Sequence, residues 1–214
     1  MKSKFIFSLF IICISCKKET SIDKSKTLPF YNSEEFTPEW IAESDSKYKD
    51  IHTISPFEFT NQNGNQITNK DFEGKIYVTD FFFTTCPSIC PILAKNMSTI
   101  QDIYKNDDDI MLLSHSVMPW VDSVKKIKEY ALEKEAIDNK WHLVTGDREK
   151  IYDLARSSYF ADEDFKKTKD ESEFIHTENF ILVDKKGRIR GVYNGTLALD
   201  IRRLKRHIEI LKKE

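Results

Sequence analysis

The sequence has no excess of charge of either sign, because 33 Lys and Arg residues stand against 35 Asp and Glu, for a formal net charge of −2. The two signs are interspersed, so no basic stripe indicates nucleic-acid binding. The sequence also lacks an internal repeat and a low-complexity segment, which excludes a repeat array. Residues 51–214 are enough for one domain with a substantial core.

Long apolar runs are missing as well. An apolar stretch near the amino end, Phe5–Ile14, is too short to span a membrane as a mature helix. It follows two lysines and ends before the small Ser15, which is the pattern of a signal peptide over residues 1–15. Ser15 and Cys16 resemble a bacterial lipoprotein processing site, which predicts a lipid on Cys16 and a membrane-anchored periplasmic protein of the bacterial cell envelope. An ordinary cleaved signal peptide is the alternative.

Residues 16–50 are rich in Lys, Glu, Ser, Thr and Asp and have few aliphatic side chains. This composition is typical of a tether between a membrane and a folded body. Four aromatic residues indicate that part of the segment packs against that body: Phe30, Tyr31, Phe36 and Trp40.

Cysteine is scarce, and the four present have different predicted fates. Cys13 would leave with the signal peptide and Cys16 would carry lipid, so Cys86 and Cys90 remain as thiols. Residues four apart on a helix share a face, so these two sulfurs can bind one metal ion or close a disulfide, and the spacing leaves both open. They follow a predicted buried strand over 75–83, and the amides of a helix beginning there predict a lowered pKa for Cys86.

The pattern of apolar residues predicts strands alternating with helices, then a hairpin and a closing helix. Asp122 is predicted to cap the second helix. Alternation of this kind indicates an α/β fold with a mixed sheet flanked by helices, the thioredoxin-like layout, and places the cysteines at the carboxyl end of a central strand. The predicted elements after the first strand are a helix over 91–105, strands over 110–117 and 141–145 with a helix after each, a hairpin over 180–193 and a helix over 197–211.

Four stretches together resemble the Sco/SenC family of membrane-tethered copper proteins. The most specific is Phe-x-x-Cys-Pro-x-x-Cys-Pro at Phe83–Pro91, combined with a downstream His-Thr-x-x-Phe at His176–Phe180. The others are Ser-Val-Met-Pro at Ser116–Pro119 and Trp-His-Leu-Val-Thr-Gly-Asp at Trp141–Asp147.

The resemblance implies a thioredoxin-like domain that binds copper through Cys86, Cys90 and His176. It also implies a partner, the copper-site subunit of cytochrome oxidase or another extracytoplasmic cuproprotein, to which copper is delivered or whose thiols are maintained. Such a protein is a metallochaperone, and whether it is also an enzyme is left open. Two thiolates and one imidazole are soft ligands that suit copper, whereas structural zinc prefers four protein ligands.

The competing hypothesis is a thiol–disulfide oxidoreductase on the same fold, with Cys86 and Cys90 as a redox disulfide. Asp80 supports it, because thioredoxins also carry a buried Asp in the central strand that assists proton transfer; a strand acid bonded to a neighbour is the simpler interpretation. Two features weigh against it. Thioredoxins need a cis-proline facing the cysteines, and this sequence has no proline after Pro119. The two cysteines are also separated by three residues rather than two.

Overall fold

The computed structural model of the protein describes residues 23–162 and 175–214. The predicted signal peptide over residues 1–15 and the predicted lipid-bearing Cys16 lie outside these ranges. Within them, no helix has both the length and the apolar character needed to cross a bilayer.

Within residues 23–162 and 175–214, seven strands form one mixed sheet in the order β4-β3-β7-β6-β5-β8-β9. The three central strands β7, β6 and β5 run parallel, and the flanking strands pair antiparallel to their neighbours. Two further strands, β1 and β2, form a separate short ladder. The strands are β1 (Phe30–Tyr31), β2 (Pro38–Glu39), β3 (Glu58–Asn61), β4 (Gln66–Thr68), β5 (Ile76–Phe82), β6 (Ile110–Ser116), β7 (Trp141–Thr145), β8 (Asn179–Val183) and β9 (Ile189–Asn194).

Among the described residues, four α-helices connect or follow the strands, and the predicted mixed sheet with flanking helices is confirmed. They are α1 (Cys90–Tyr104), α2 (Val124–Glu133), α3 (Arg148–Asp153) and α4 (Ala198–Leu211). A π-helical turn, Leu154–Ser158, extends α3, and short 3-10 turns lie at Ser46–Asp50 and Asn69–Phe72.

The predicted cap of α2 was wrong. Ser123 caps this helix by accepting a hydrogen bond from the Lys126 amide, at 3.3 Å. Asp122, one residue earlier, is buried and accepts hydrogen bonds from another part of the chain. A serine at the cap position satisfies the free amide as well as an aspartate does, so the helix does not need Asp122.

The core has two layers, one on each face of the sheet, because successive side chains of a strand point to opposite faces. Ile76, Val78 and Phe82 of β5 pack with α1, α2 and α4. Tyr77 and Phe81 pack on the other face with α3, with Phe59 of β3 and with Phe57 just before it. The central strands are buried along their whole length, as expected of strands covered by helices on both sides.

Part of the segment before the domain packs against the sheet, as its aromatic residues indicated. Leu28 and Phe30 are buried. The guanidinium of Arg190 on β9 donates to the carbonyl oxygens of Leu28 and Pro29, at 2.6 and 3.0 Å, and pairs with Asp184. This buried ion pair fixes the segment at the end of the sheet where β5 begins.

Candidate metal centre

The two thiols lie in the connection between β5 and α1, at the carboxyl end of the central strand, as predicted. Cys90 is the first residue of α1, but Cys86 precedes the helix, so the prediction that both lie on one helical turn was wrong. The carbonyl of Ile89 accepts the first helical hydrogen bonds, from Ile92 and Leu93 at 2.9 and 3.0 Å. Pro91 lies in the first turn, where its missing N–H has no partner to lose.

Cys86 is a half-buried free thiol that sits in a ring of hydrogen-bond donors. Partial burial alone would raise its pKa. The Cys90 thiol and the backbone amides of Ser88, Ile89 and Cys90 donate to its sulfur and reverse that effect, so the pKa of Cys86 is lowered. The predicted direction is confirmed, and the donors are the amides of the loop and of the first helical residue. Cys86 therefore supplies a thiolate more readily than an ordinary cysteine.

Cys90 is the opposite case. It is buried and free. Burial, the hydrogen bond to Cys86 and the charges of Cys86 and Asp80 together raise the pKa of Cys90 to about 12. The pair thus combines an accessible sulfur that ionises easily with a buried sulfur that holds its proton.

His176 lines the same cavity as the two cysteines, which has a volume of about 300 Å³. The imidazole is solvent-exposed and belongs to the extended residues just before β8. Within the described ranges, no group of three or more His, Cys, Asp and Glu side chains lies close enough together to hold a metal ion as it stands. The remaining lining residues are mostly apolar: Phe81, Phe83, Pro87, Ser88, Ile89, Val117, Ile175 and Thr177.

Asp80 is buried within β5, on the face that packs against α1. Its carboxylate accepts a hydrogen bond from the Ser114 hydroxyl of β6, whose oxygen in turn accepts from the indole N–H of Trp141 at 2.9 Å. Burial raises the pKa of Asp80 to about 7, against the weaker opposing effect of Ser114. Asp80 therefore bonds to a neighbouring residue, as the simpler interpretation predicts. Its charge also contributes to the raised pKa of Cys90.

His115 is buried on the other face of the same strand pair, opposite Phe81 in register. Its ring stacks on Phe81 with centroids 5.3 Å apart. Neither ring nitrogen has a hydrogen-bond partner in the part of the chain that the structure describes. Burial lowers the pKa of His115 to about 3, so the ring is neutral and serves as packing, as expected for a histidine inside a strand.

Asp122 is a residue of this region that the sequence did not single out as part of the site. Its carboxylate accepts hydrogen bonds from the hydroxyls of Thr84 and Ser116, both at 2.6 Å. Thr84 precedes Cys86 by two residues, so Asp122 reaches the cysteine loop through it. No local pattern marks this contact, because its partners are 38 and six positions away.

Comparison with known proteins places these features in a family context. A family model described as SCO1/SenC matches residues 45–211. The structure is similar to a SCO1/SenC family lipoprotein from Bacillus anthracis, with 28% identity, a TM-score of 0.65 and coverage of 75% of this chain and 95% of that one. It is also similar to BsSco, described by its disulfide switch and as a member of the Sco family of cytochrome c oxidase assembly proteins (25% identity, TM-score 0.63, 77% and 96% coverage). A third similar structure is ScoI of Bradyrhizobium japonicum with copper bound (26% identity, TM-score 0.56, 72% and 99% coverage).

Proposed function

The chain belongs to the SCO1/SenC family, and from that premise we propose that it binds copper for the assembly of the copper site of cytochrome oxidase. Cys86, Cys90 and His176 are the proposed ligands. The observation that carries the proposal is the single cavity that all three side chains line. The copper-bound relative supports the metal, and the description of BsSco supports the recipient.

The donor set fits copper chemically. Two sulfurs and one imidazole are soft ligands that suit Cu(I) and also hold Cu(II) through bonding dominated by thiolate. A thiol that coordinates a metal gives up its proton, so copper binding displaces the proton that Cys90 retains in the free protein. Cys86, whose pKa is lowered, offers the first sulfur to an incoming ion.

The accessibility of the donors suits transfer rather than storage. Cys86 is half-buried and His176 is exposed, whereas Cys90 is buried. A recipient's thiols can therefore replace Cys86 and His176 first, with Cys90 as the last ligand to leave. Each step exchanges one copper ligand for another, so the ion is never released to water.

We also propose that a lipid on Cys16 holds the protein at the membrane, with the domain in the periplasm. The apolar stretch before Ser15 supports this localisation. So does the description of the similar Bacillus anthracis protein as a lipoprotein.

Anaerobic copper titration tests the ligand assignment. The protein is the full chain with Cys13→Ser and Cys16→Ser, so that Cys86 and Cys90 are the only thiols. We expect one copper per chain and, for Cu(II), intense sulfur-to-copper charge transfer. The Cys86→Ser variant should lose binding of both Cu(I) and Cu(II). His176→Ala should retain a weakened Cu(I) site and bind Cu(II) more than about tenfold less tightly, with an altered spectrum.

His207→Ala is the matched control, because His207 bonds to Tyr193 and does not line the cavity. It should leave copper binding unchanged. Full Cu(II) affinity and an unchanged spectrum in His176→Ala would overturn the assignment of His176.

A thiol–disulfide oxidoreductase is the second candidate, favoured by the contrast between the two sulfurs. The Cys86 thiolate would attack a partner's disulfide and form a mixed disulfide. Cys90 would then lose its proton and attack the sulfur of Cys86, so the cysteine pair is oxidised and the partner is released as a dithiol. Weak copper binding together with rapid reduction of a test disulfide would favour this function, and Asp80→Asn should then slow the second step.

A further inference from the structure

We propose that Asp122 is a positioning residue for Cys86, which it holds in place through Thr84. The inference deepens the proposed function, because it assigns a cause to the placement of one proposed copper ligand. It stands on a set of short contacts that link the cysteine loop to the neighbouring strand.

The contacts of Asp122 connect two parts of the chain that are far apart in sequence. Asp122 is fully buried. Its carboxylate accepts from the hydroxyl of Thr84 at 2.6 Å and from the Thr84 amide at 3.2 Å. It also accepts from the hydroxyl of Ser116, the last residue of β6, at 2.6 Å. All three donors are neutral, and a carboxylate has enough lone pairs to accept from all of them at once.

Asp122 is itself held in a closed turn. Its amide donates to the carbonyl of Met118 at 2.8 Å, and the Met118 amide donates to the hydroxyl of Ser116 at 3.2 Å. The end of β6, the turn after it and the cysteine loop therefore share one hydrogen-bonded unit. A fixed carboxylate at the centre of this unit restrains Thr84 in both its backbone and its side chain.

The position of Thr84 makes this restraint relevant to the thiol. The Cys86 amide donates to the carbonyl of Phe83 at 3.3 Å, so the turn from Phe83 to Cys86 includes Thr84. The sulfur of Cys86 lines the cavity beside Cys90 and His176, and the turn that contains Thr84 sets where this sulfur lies. A loop that loses its link to Asp122 would hold the sulfur in this position for a smaller part of the time, both for an incoming reagent and for Cys90.

The test compares two buried carboxylates at opposite ends of the sheet, again in the full chain with Cys13→Ser and Cys16→Ser. Asp122→Asn keeps the shape of the side chain but replaces one acceptor oxygen with a donor. Asp184→Asn is the control, because Asp184 is buried and pairs with Arg188 and Arg190, away from the cysteine cavity. The measurements are the alkylation rate of Cys86 by iodoacetamide at pH 7 and the equilibrium of the Cys86–Cys90 pair with glutathione.

We expect Asp122→Asn to slow alkylation by about tenfold and to disfavour the disulfide at equilibrium, because the sulfur spends less time in its reactive position and facing Cys90. Asp184→Asn should destabilise the fold and leave the alkylation rate within about twofold. An unchanged rate and equilibrium in Asp122→Asn would overturn the proposal. Equal slowing in both variants would overturn it too, because the effect would then be general loosening.

Thr84→Val provides a second, milder variant in case Asp122→Asn does not fold. It removes the 2.6 Å contact and keeps the backbone contact to Asp122. Alkylation slowed by about threefold would support the proposal, and an unchanged rate would contradict it. Both measurements are made without metal, so failure of copper binding would count against the proposed function alone.

Discussion

The two faces of the β5–β6 strand pair bury polar groups that differ in their hydrogen bonding. On the face covered by α1, Asp80 bonds to Ser114, and Ser114 accepts from Trp141. On the opposite face, one register position along, His115 lies among aromatic rings, with no partner for either nitrogen in the part of the chain that the structure describes. The partnered acid acts on a thiol of the site, whereas the histidine serves as an aromatic filler.

The two groups differ in what their burial costs. A bonded group recovers most of the loss of hydration, while an orphaned one costs about 1–3 kcal/mol of stability. Asp80 has a side-chain hydrogen-bond partner, Ser114, and a nearby thiol, Cys90, on which its charge acts. His115 has neither, so replacing it should improve the fold, and replacing the partner of Asp80 should harm it.

The largest effect is expected for Ser114→Ala. This change removes the side-chain partner of both the Asp80 carboxylate and the Trp141 indole, which should lower the free energy of unfolding by about 3 kcal/mol. Thr79→Val on the opposite face is the control. The hydroxyl of Thr79 is buried and has no partner within the described ranges, so its loss should be neutral or slightly stabilising. Urea denaturation measures both; equal losses would refute the contrast between the faces.

A smaller effect of opposite sign is expected for His115→Leu. The two ring nitrogens have no partner among the described residues, so removing them from their apolar surroundings should raise the free energy of unfolding by about 1 kcal/mol at pH 7. His142→Leu is the matched change, because His142 is also buried in a strand but bonds to Asn61 at 3.3 Å. It should destabilise the protein. A loss of stability in His115→Leu would show that the ring has a role beyond packing.

The pH dependence of stability should separate the two faces. Burial raises the pKa of Asp80 from 3.8 to about 7, so the contribution of Asp80 to stability is present at low pH and is lost as pH rises through that window. Burial lowers the pKa of His115 from 6.5 to about 3, so its contribution is present above 6.5 and is lost as pH falls. Between about pH 4 and 6.5 the two oppose each other.

Single variants should therefore change the dependence of stability on pH in opposite directions. Asp80→Asn should make stability rise with pH more steeply than in the parent, by about 1 kcal/mol per pH unit, and His115→Leu should shift the slope the other way. Urea denaturation at intervals from pH 4 to 6.5 measures each difference from the parent, which cancels the groups common to both. Slopes that shift in the same direction would contradict the assignment of opposite titrations.

The elements that could be predicted from the sequence were those with a strong local pattern. The β5 strand is a continuous apolar run, and the β8–β9 hairpin has a turn sequence between two such runs. Their burial and order follow from that pattern alone. The position of the cysteines at the end of β5 followed in the same way, as did the lowered pKa of Cys86.

The features that could not be predicted depend on contacts between distant segments. Asp122 resembles a helix cap until its bond to Thr84 is known, because nothing near it in sequence marks that partner. The start of α1 was predicted to within one residue, but the position of Cys86 before the helix was missed, because Pro87 suits a first helical turn as well as Pro91 does. His115 resembles any other strand histidine in the sequence, and only its neighbours in the described part of the chain show that neither ring nitrogen has a hydrogen-bond partner there.

The hydrogen bonds from Arg190 to the carbonyls of Leu28 and Pro29 hold the amino-terminal segment at the end of the sheet opposite the cysteines. Leu28 lies beside Ile76, the first residue of β5, and the thiols follow its last residue, a strand length of about 20 Å away. A membrane attached upstream of Leu28 would thus pull on the pole opposite the cysteines. Under the proposed anchoring and copper exchange, the two processes would use separate surfaces, and a docked partner would not have to displace the anchor to reach the sulfur atoms.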